Sequence, residues 1–103
     1  MADPMRLRAT LTGDTVAVKV LMAHVMETGQ RKDTDDNIVP ARYIVRVTAR
    51  CNGREVLSAD WGPSISKNPY LAFRFKGAAM GDTVVITWTD SAGESRTDEA
   101  TIQ

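Results

Sequence analysis

An all-β fold is predicted by three features of this 103-residue chain. Apolar and polar residues alternate over short stretches, turn residues separate those stretches, and none has the apolar spacing of a helix. About seven antiparallel strands at this spacing predict an immunoglobulin-like β-sandwich. The whole chain, residues 1–103, reads as a single domain with one core, burying roughly 60–70% of its unfolded surface.

The first alternation runs from Arg6 to Leu11, with Leu7, Ala9 and Leu11 on one face and Arg6, Arg8 and Thr10 on the other. Gly13-Asp14 turns the chain. Thr15 to Met22 resumes with Val16, Val18 and Val20 inward. Ala17 and Leu21 make its second face partly apolar as well, which fits a central or covered strand. Residues 27–40 have no apolar period and form the longest irregular segment. Such a loop in a small domain is often functional, the alternative being a solvated hairpin tip around Asp35-Asp36-Asn37.

Tyr43 to Cys51 and Glu55 to Trp61 flank Asn52-Gly53, a pair that readily takes the positive φ angles of a two-residue hairpin turn. Gly62 and Pro63 break that strand. Asn68-Pro69 holds the chain extended before the next, because proline disfavours the helical region for the residue ahead of it. In Tyr70 to Lys76, Leu71, Phe73 and Phe75 alternate with Ala72, Arg74 and Lys76, so both phenylalanines are expected in the core. Thr83 to Thr89 turns Val84, Ile86 and Trp88 inward, and Asp90 to Gly93 leads into a final strand from Glu94 to Ile102. Charges from Ser95 to Glu99 either guard an exposed sheet edge or meet a partner.

Composition narrows the function classes. Thirteen basic and thirteen acidic side chains cancel, which argues against a general nucleic-acid binder and against an anionic membrane surface as partner. No apolar run approaches the roughly 20 residues of a spanning helix. The N-terminal residues lack the apolar region of a secretory signal, an observation that by itself points to the cytoplasm.

Reactive groups are few. Cys51 is the only cysteine, so no internal disulfide can form. It alternates with Val45, Val47 and Ala49, the pattern of a core residue, with an intermolecular thiol as the alternative. One His and one Cys do not supply a metal site. Asp33, Asp35 and Asp36 lack the glycine and distal glutamate of an EF-hand loop. His24 has no Gly-x-Ser-x-Gly elbow to accompany it and reads as a structural or interface histidine rather than a general base. No catalytic residue, metal ligand or cofactor site is expected, and the chain does not read as an enzyme. Lys67 and Arg74 could attract an anionic group or be plain solvated surface.

The most specific stretch is 61–77, Trp-Gly-Pro-Ser-Ile-Ser-Lys-Asn-Pro-Tyr-Leu-Ala-Phe-Arg-Phe-Lys-Gly. Together with Met26-Glu-Thr-Gly29 and Ser95-Arg-Thr-Asp-Glu-Ala100, it resembles the SoxZ family, and the likeness extends over nearly the whole chain. Val25 departs from the family, which commonly has proline after the histidine.

The resemblance implies an immunoglobulin-like sandwich that forms a heterodimer with SoxY in periplasmic thiosulfate and sulfur oxidation. In that pair the sulfur intermediate rides on a cysteine of a flexible, glycine-rich C-terminal arm of SoxY. Here the sequence ends in the strand-like Glu99-Ala-Thr-Ile-Gln103, so Cys51 is not expected to be the carrier thiol. The resemblance further implies export bound to a signal-bearing partner, and transient contact with the Sox pathway enzymes.

Candidate interface or family-motif residues are Leu21, Met22, His24, Val25, Met26, Glu27, Thr28, Gly29 and Arg31 in the first segment. Trp61, Gly62, Pro63, Ser66, Lys67, Asn68 and Pro69 make up the second. Leu21, Met22, Val25 and Met26 are read as apolar groups left over for a partner, unless both sheets simply cover them. Trp61 either staples its loop or meets the partner. The competing function is a free-standing immunoglobulin-like module for adhesion or carbohydrate recognition.

Overall fold

The computed structural model describes residues 3–103. Seven strands follow one another: β1 (Arg6–Thr12), β2 (Thr15–Leu21), β3 (Ile44–Cys51), β4 (Arg54–Asp60), β5 (Tyr70–Lys76), β6 (Thr83–Asp90) and β7 (Ser95–Thr101). They form two antiparallel sheets, of order β1-β2-β5 and β4-β3-β6-β7. This is the expected all-β sandwich. In an immunoglobulin constant-type arrangement the fourth strand extends the first sheet; here β4 pairs with β3 instead.

Alternation sets which side chains meet between the sheets. Val16, Val18 and Val20 from β2 face Val47 and Ala49 from β3 and Val84, Ile86 and Trp88 from β6, all essentially excluded from water. Cys51 belongs to the same cluster at 2% exposure, as its alternation predicts. Asn52 and Gly53 both adopt positive φ (55° and 74°), the hairpin geometry predicted for that pair.

The expected core needs two corrections. Phe73 and Phe75 are half-buried and pack against the core from its margin. The reason is that β5 is an edge strand with no neighbour beyond it. Met22 and Met26, read as spare apolar groups, are instead core residues at 1% and 6% exposure. Beyond Leu21 the strand pattern ends, and Met22 and Met26 both turn into the sandwich, leaving only Leu21 (43%) and Val25 (47%) exposed.

The two long sides of the sandwich differ. On the β1/β7 side the sheets are stitched together: Leu11 N–H donates to the Gln103 carbonyl, Gln103 N–H to that of Ala9, and Met5 N–H to the Asp98 carboxylate. Ile102 is buried beneath this seam. The opposite side, where β4 and β5 are the sheet edges, has no such backbone stitching among the described residues. One side chain spans it, Arg54 donating to the Lys76 carbonyl at 2.7 Å. Leu57, Trp61, Ile65, Leu71, Phe73 and Phe75 lie half-buried along this part of the core margin.

Candidate functional site

The two motif segments meet at one end of the sandwich. Past β2, Met22 N–H donates to the Pro69 carbonyl and Asn68 N–H to the His24 carbonyl, both at 2.9 Å. His24 N–H in turn donates to Asn68 Oδ1 at 3.0 Å. The β2–β5 ladder is thereby prolonged into the loop, with Asn68 in the left-handed region (φ 52°) that asparagine tolerates better than most residues. Pro69 is buried, while Ser66 and Lys67 face solvent.

His24 is then drawn inward. Its Nδ1 accepts the Met26 N–H at 3.0 Å, and its Nε2 lies 3.0 Å from Asp90 Oδ2. A ring nitrogen that accepts carries no proton, so the proton sits on Nε2 and points at the carboxylate. Trp88 stands edge-on to the imidazole, with centroids 5.0 Å apart and planes at 88°. Met26 closes the turn at φ 50°, an unusual angle for a long side chain. Its thioether accepts the Ile44 N–H at 3.4 Å.

Asp90 is the centre of this cluster. Its side chain is wholly excluded from water, yet four donors reach it. They are His24 Nε2, Arg42 Nε (3.1 Å), and the backbone N–H groups of Ala92 and Glu94 on Oδ1 (3.0 and 2.9 Å). Arg42 also pairs with Glu94. Burial pushes the Asp90 carboxyl pKa up, but hydrogen bonds from His24, Arg42 and the two amides outweigh it and hold it below its ordinary 3.8.

The geometry decides what His24 can do. An Asp–His pair orients the base in acyl-transfer triads, but a general base needs its second nitrogen free. Here that nitrogen is committed to the Met26 backbone. The pair is therefore a structural tie between the loop after β2 and the end of β6.

Above the cluster lies an open cleft of about 410 Å³. It is lined in part by His24, Val25, Arg42, Lys67, Trp88 and Glu94, so cations and carboxylates share its walls. Trp88 Nε1 has the one buried side-chain N–H without a partner among the described residues.

The remaining motif residues hold the neck of the long loop. Glu27 and Arg42 exchange backbone hydrogen bonds of 2.7 and 2.9 Å. Arg31 forks onto the Glu27 carboxylate, and that hydrogen bond keeps Glu27 below its ordinary pKa. Gly29 sits at φ 86°, where a Cβ would also lie 3.1 Å from Ala41 Cβ; both facts favour glycine. Thr28 Oγ1 accepts the Gln30 N–H within the same turn. Beyond the neck, Asp33 Oδ1 accepts the amides of Asp35 and Asn37 and closes an exposed hairpin tip. Trp61 is half-buried, and its N–H donates to the Val45 carbonyl. Gly62 and Pro63 follow it at the surface.

Sequence reasoning brought His24 and Asn68 to attention but missed Arg42 and Asp90. Asp90 was legible as the start of a turn, and a turn aspartate normally faces water. Only the packing of the two sheets, which brings the end of β6 to His24 beyond β2, turns it inward.

A family model described as "Sulphur oxidation protein SoxZ" matches residues 5–101. No curated protein matches the chain.

Proposed function

Because this chain belongs to the SoxZ family of sulphur oxidation proteins, we propose that it is the non-catalytic subunit of a periplasmic sulfur-carrier heterodimer. Its partner is a SoxY-type chain whose cysteine arm carries the thiosulfate-derived sulfur. In this reading the chain reaches the periplasm bound to that signal-bearing partner, and the sulfur-processing enzymes meet the pair transiently.

One structural observation supports the presence of a partner. The sandwich is stitched shut along β1/β7 but open along β4/β5, where Leu57, Trp61, Ile65, Leu71, Phe73 and Phe75 are only half-covered. Permanent interfaces are built from apolar and aromatic patches of this kind. Two unpaired edge strands also offer backbone groups to a partner's strand. Cys51 is unsuited to carry sulfur itself: it is buried, and burial, reinforced by the Asp82 charge, raises its thiol pKa and disfavours the thiolate.

Co-expression with a SoxY-type subunit, followed by size-exclusion chromatography with light scattering, tests the proposal. A one-to-one complex is expected. A chain that always elutes alone contradicts it.

A further inference from the structure

The outer face of the three-stranded sheet carries charge of a single sign. Arg6 and Arg8 from β1, Lys19 from β2, and Arg74 and Lys76 from β5 are all exposed and all occupy outward positions in the ladder. The other outward residues are Thr10, Thr12, Thr15, Ala17, Leu21, Tyr70 and Ala72, so no strand residue on this face is acidic. Of these five, only Lys76 has an ionic partner among the described residues, the turn residue Asp14 at 3.6 Å.

A chain with equal numbers of positive and negative groups has no compositional reason to concentrate five cations here. The other sheet shows the contrast. Its outer surface mixes signs, with Arg46 paired to Asp60, and threonines facing one another at Thr87 and Thr97.

Local stability does not explain the pattern. Arg8 and Lys19 are direct cross-strand neighbours, and like charges in that position oppose pairing. An acidic residue at either site would fold better. At the end of the face, Leu21 (43% exposed) and Tyr70 (61%) lie beside Arg6 in one ladder row, giving an apolar and aromatic margin to the charged field. Arginine and tyrosine are both enriched in protein-binding surfaces, and here they share a ladder row with an exposed leucine. The neutral chain as a whole lacks the long-range field that polyanionic nucleic acid exploits.

We infer that this face is a transient docking surface for the acidic surface of a second protein, separate from the apolar β4/β5 side. The proposal stands beside the carrier reading rather than on it. A flat, charged patch favours fast, salt-sensitive association over a permanent interface.

The test is an NMR titration of the full chain with a synthetic peptide of Glu, Asp and one Tyr. Saturable shifts confined to amides of β1, β2 and β5 are expected. Affinity should fall about tenfold or more between about 50 and 300 mM salt. The paired change Arg8→Glu and Lys19→Glu should abolish binding, and Arg74→Glu alone should weaken it; all three side chains point to solvent, and circular dichroism checks folding. Shifts elsewhere, or an affinity unmoved by charge reversal, overturn the inference. So does tighter binding to a single-stranded oligonucleotide or to phosphatidylserine vesicles, which would make the face a polyanion or membrane site.

The charge-reversed chain is also mixed with a SoxY-type subunit. Retained co-elution is expected; loss of it would put the permanent partner on this face and overturn the separation. If the unaltered chain forms no heterodimer, the carrier reading fails while the titration still decides this one.

Discussion

Asp90 accepts from His24, Arg42 and two backbone amides with its side chain out of water, so its removal strands a buried imidazole and uncaps the turn after β6. Asp90→Ala should therefore cost about 3–5 kcal/mol, read as a lowered urea midpoint. The same contacts fix the response to acid. A carboxyl whose folded pKa lies below its ordinary 3.8 contributes stability above that value and loses it as pH falls through the lower folded value. Asp98, held down by Arg96 and the Met5 amide, and Asp82, held down by the Ala79 amide and Asn52, act in the same direction. Unfolding free energy should be level above about pH 5 and decline below pH 4, less steeply in Asp90→Ala. Cys51, with its thiol pKa raised by burial, should react slowly with Ellman's reagent in the native state and rapidly in urea; rapid native labelling would return it to the surface. His24 was legible as a lone histidine without catalytic company. Its partners were not, because Arg42 and Asp90 lie 18 and 66 residues away along the chain and only the sheet crossings unite them.

The strands themselves were readable because alternation is a local property, and edge strands are where that reading weakens. The period of β5 correctly assigns Phe73 and Phe75 to the inner face, but an inner face at a sheet edge is only half-covered. Phe73→Ala should accordingly cost about 1–3 kcal/mol, against about 3–5 kcal/mol for Trp88→Ala in the centre of the core. Equal losses would mean that the β4/β5 side is closed in solution. The segment after β2 was misread for a related reason. Once alternation stops, periodicity no longer says which way a side chain points, and Met22 and Met26 turn inward through hydrogen bonds to Pro69 and His24 that lie outside any strand pattern. Gly29→Ala probes that neck: a positive φ and a close Ala41 together predict a loss of about 1–2 kcal/mol. On β1, Arg8→Glu should slightly raise the urea midpoint by placing opposite charges across the ladder from Lys19.

At the scale of the whole molecule, the sandwich divides its surface into a stitched side, an open apolar side, a cationic face and a mixed-charge, threonine-rich face. Composition concealed this division, since net charge averages over faces that topology separates. The family motifs were visible in the sequence, but the open side was not: it depends on β4 and β5 being edges on the same flank, which follows from strand order rather than from any residue. The central claim is that this flank is completed by a SoxY-type subunit. Hydrogen–deuterium exchange of the chain, alone and mixed with that subunit, measures this directly. The account predicts slowed exchange in β4, in the Trp61–Pro69 loop and in β5, with β1 unchanged. Exchange in β4 and β5 that is the same with and without the partner would contradict it.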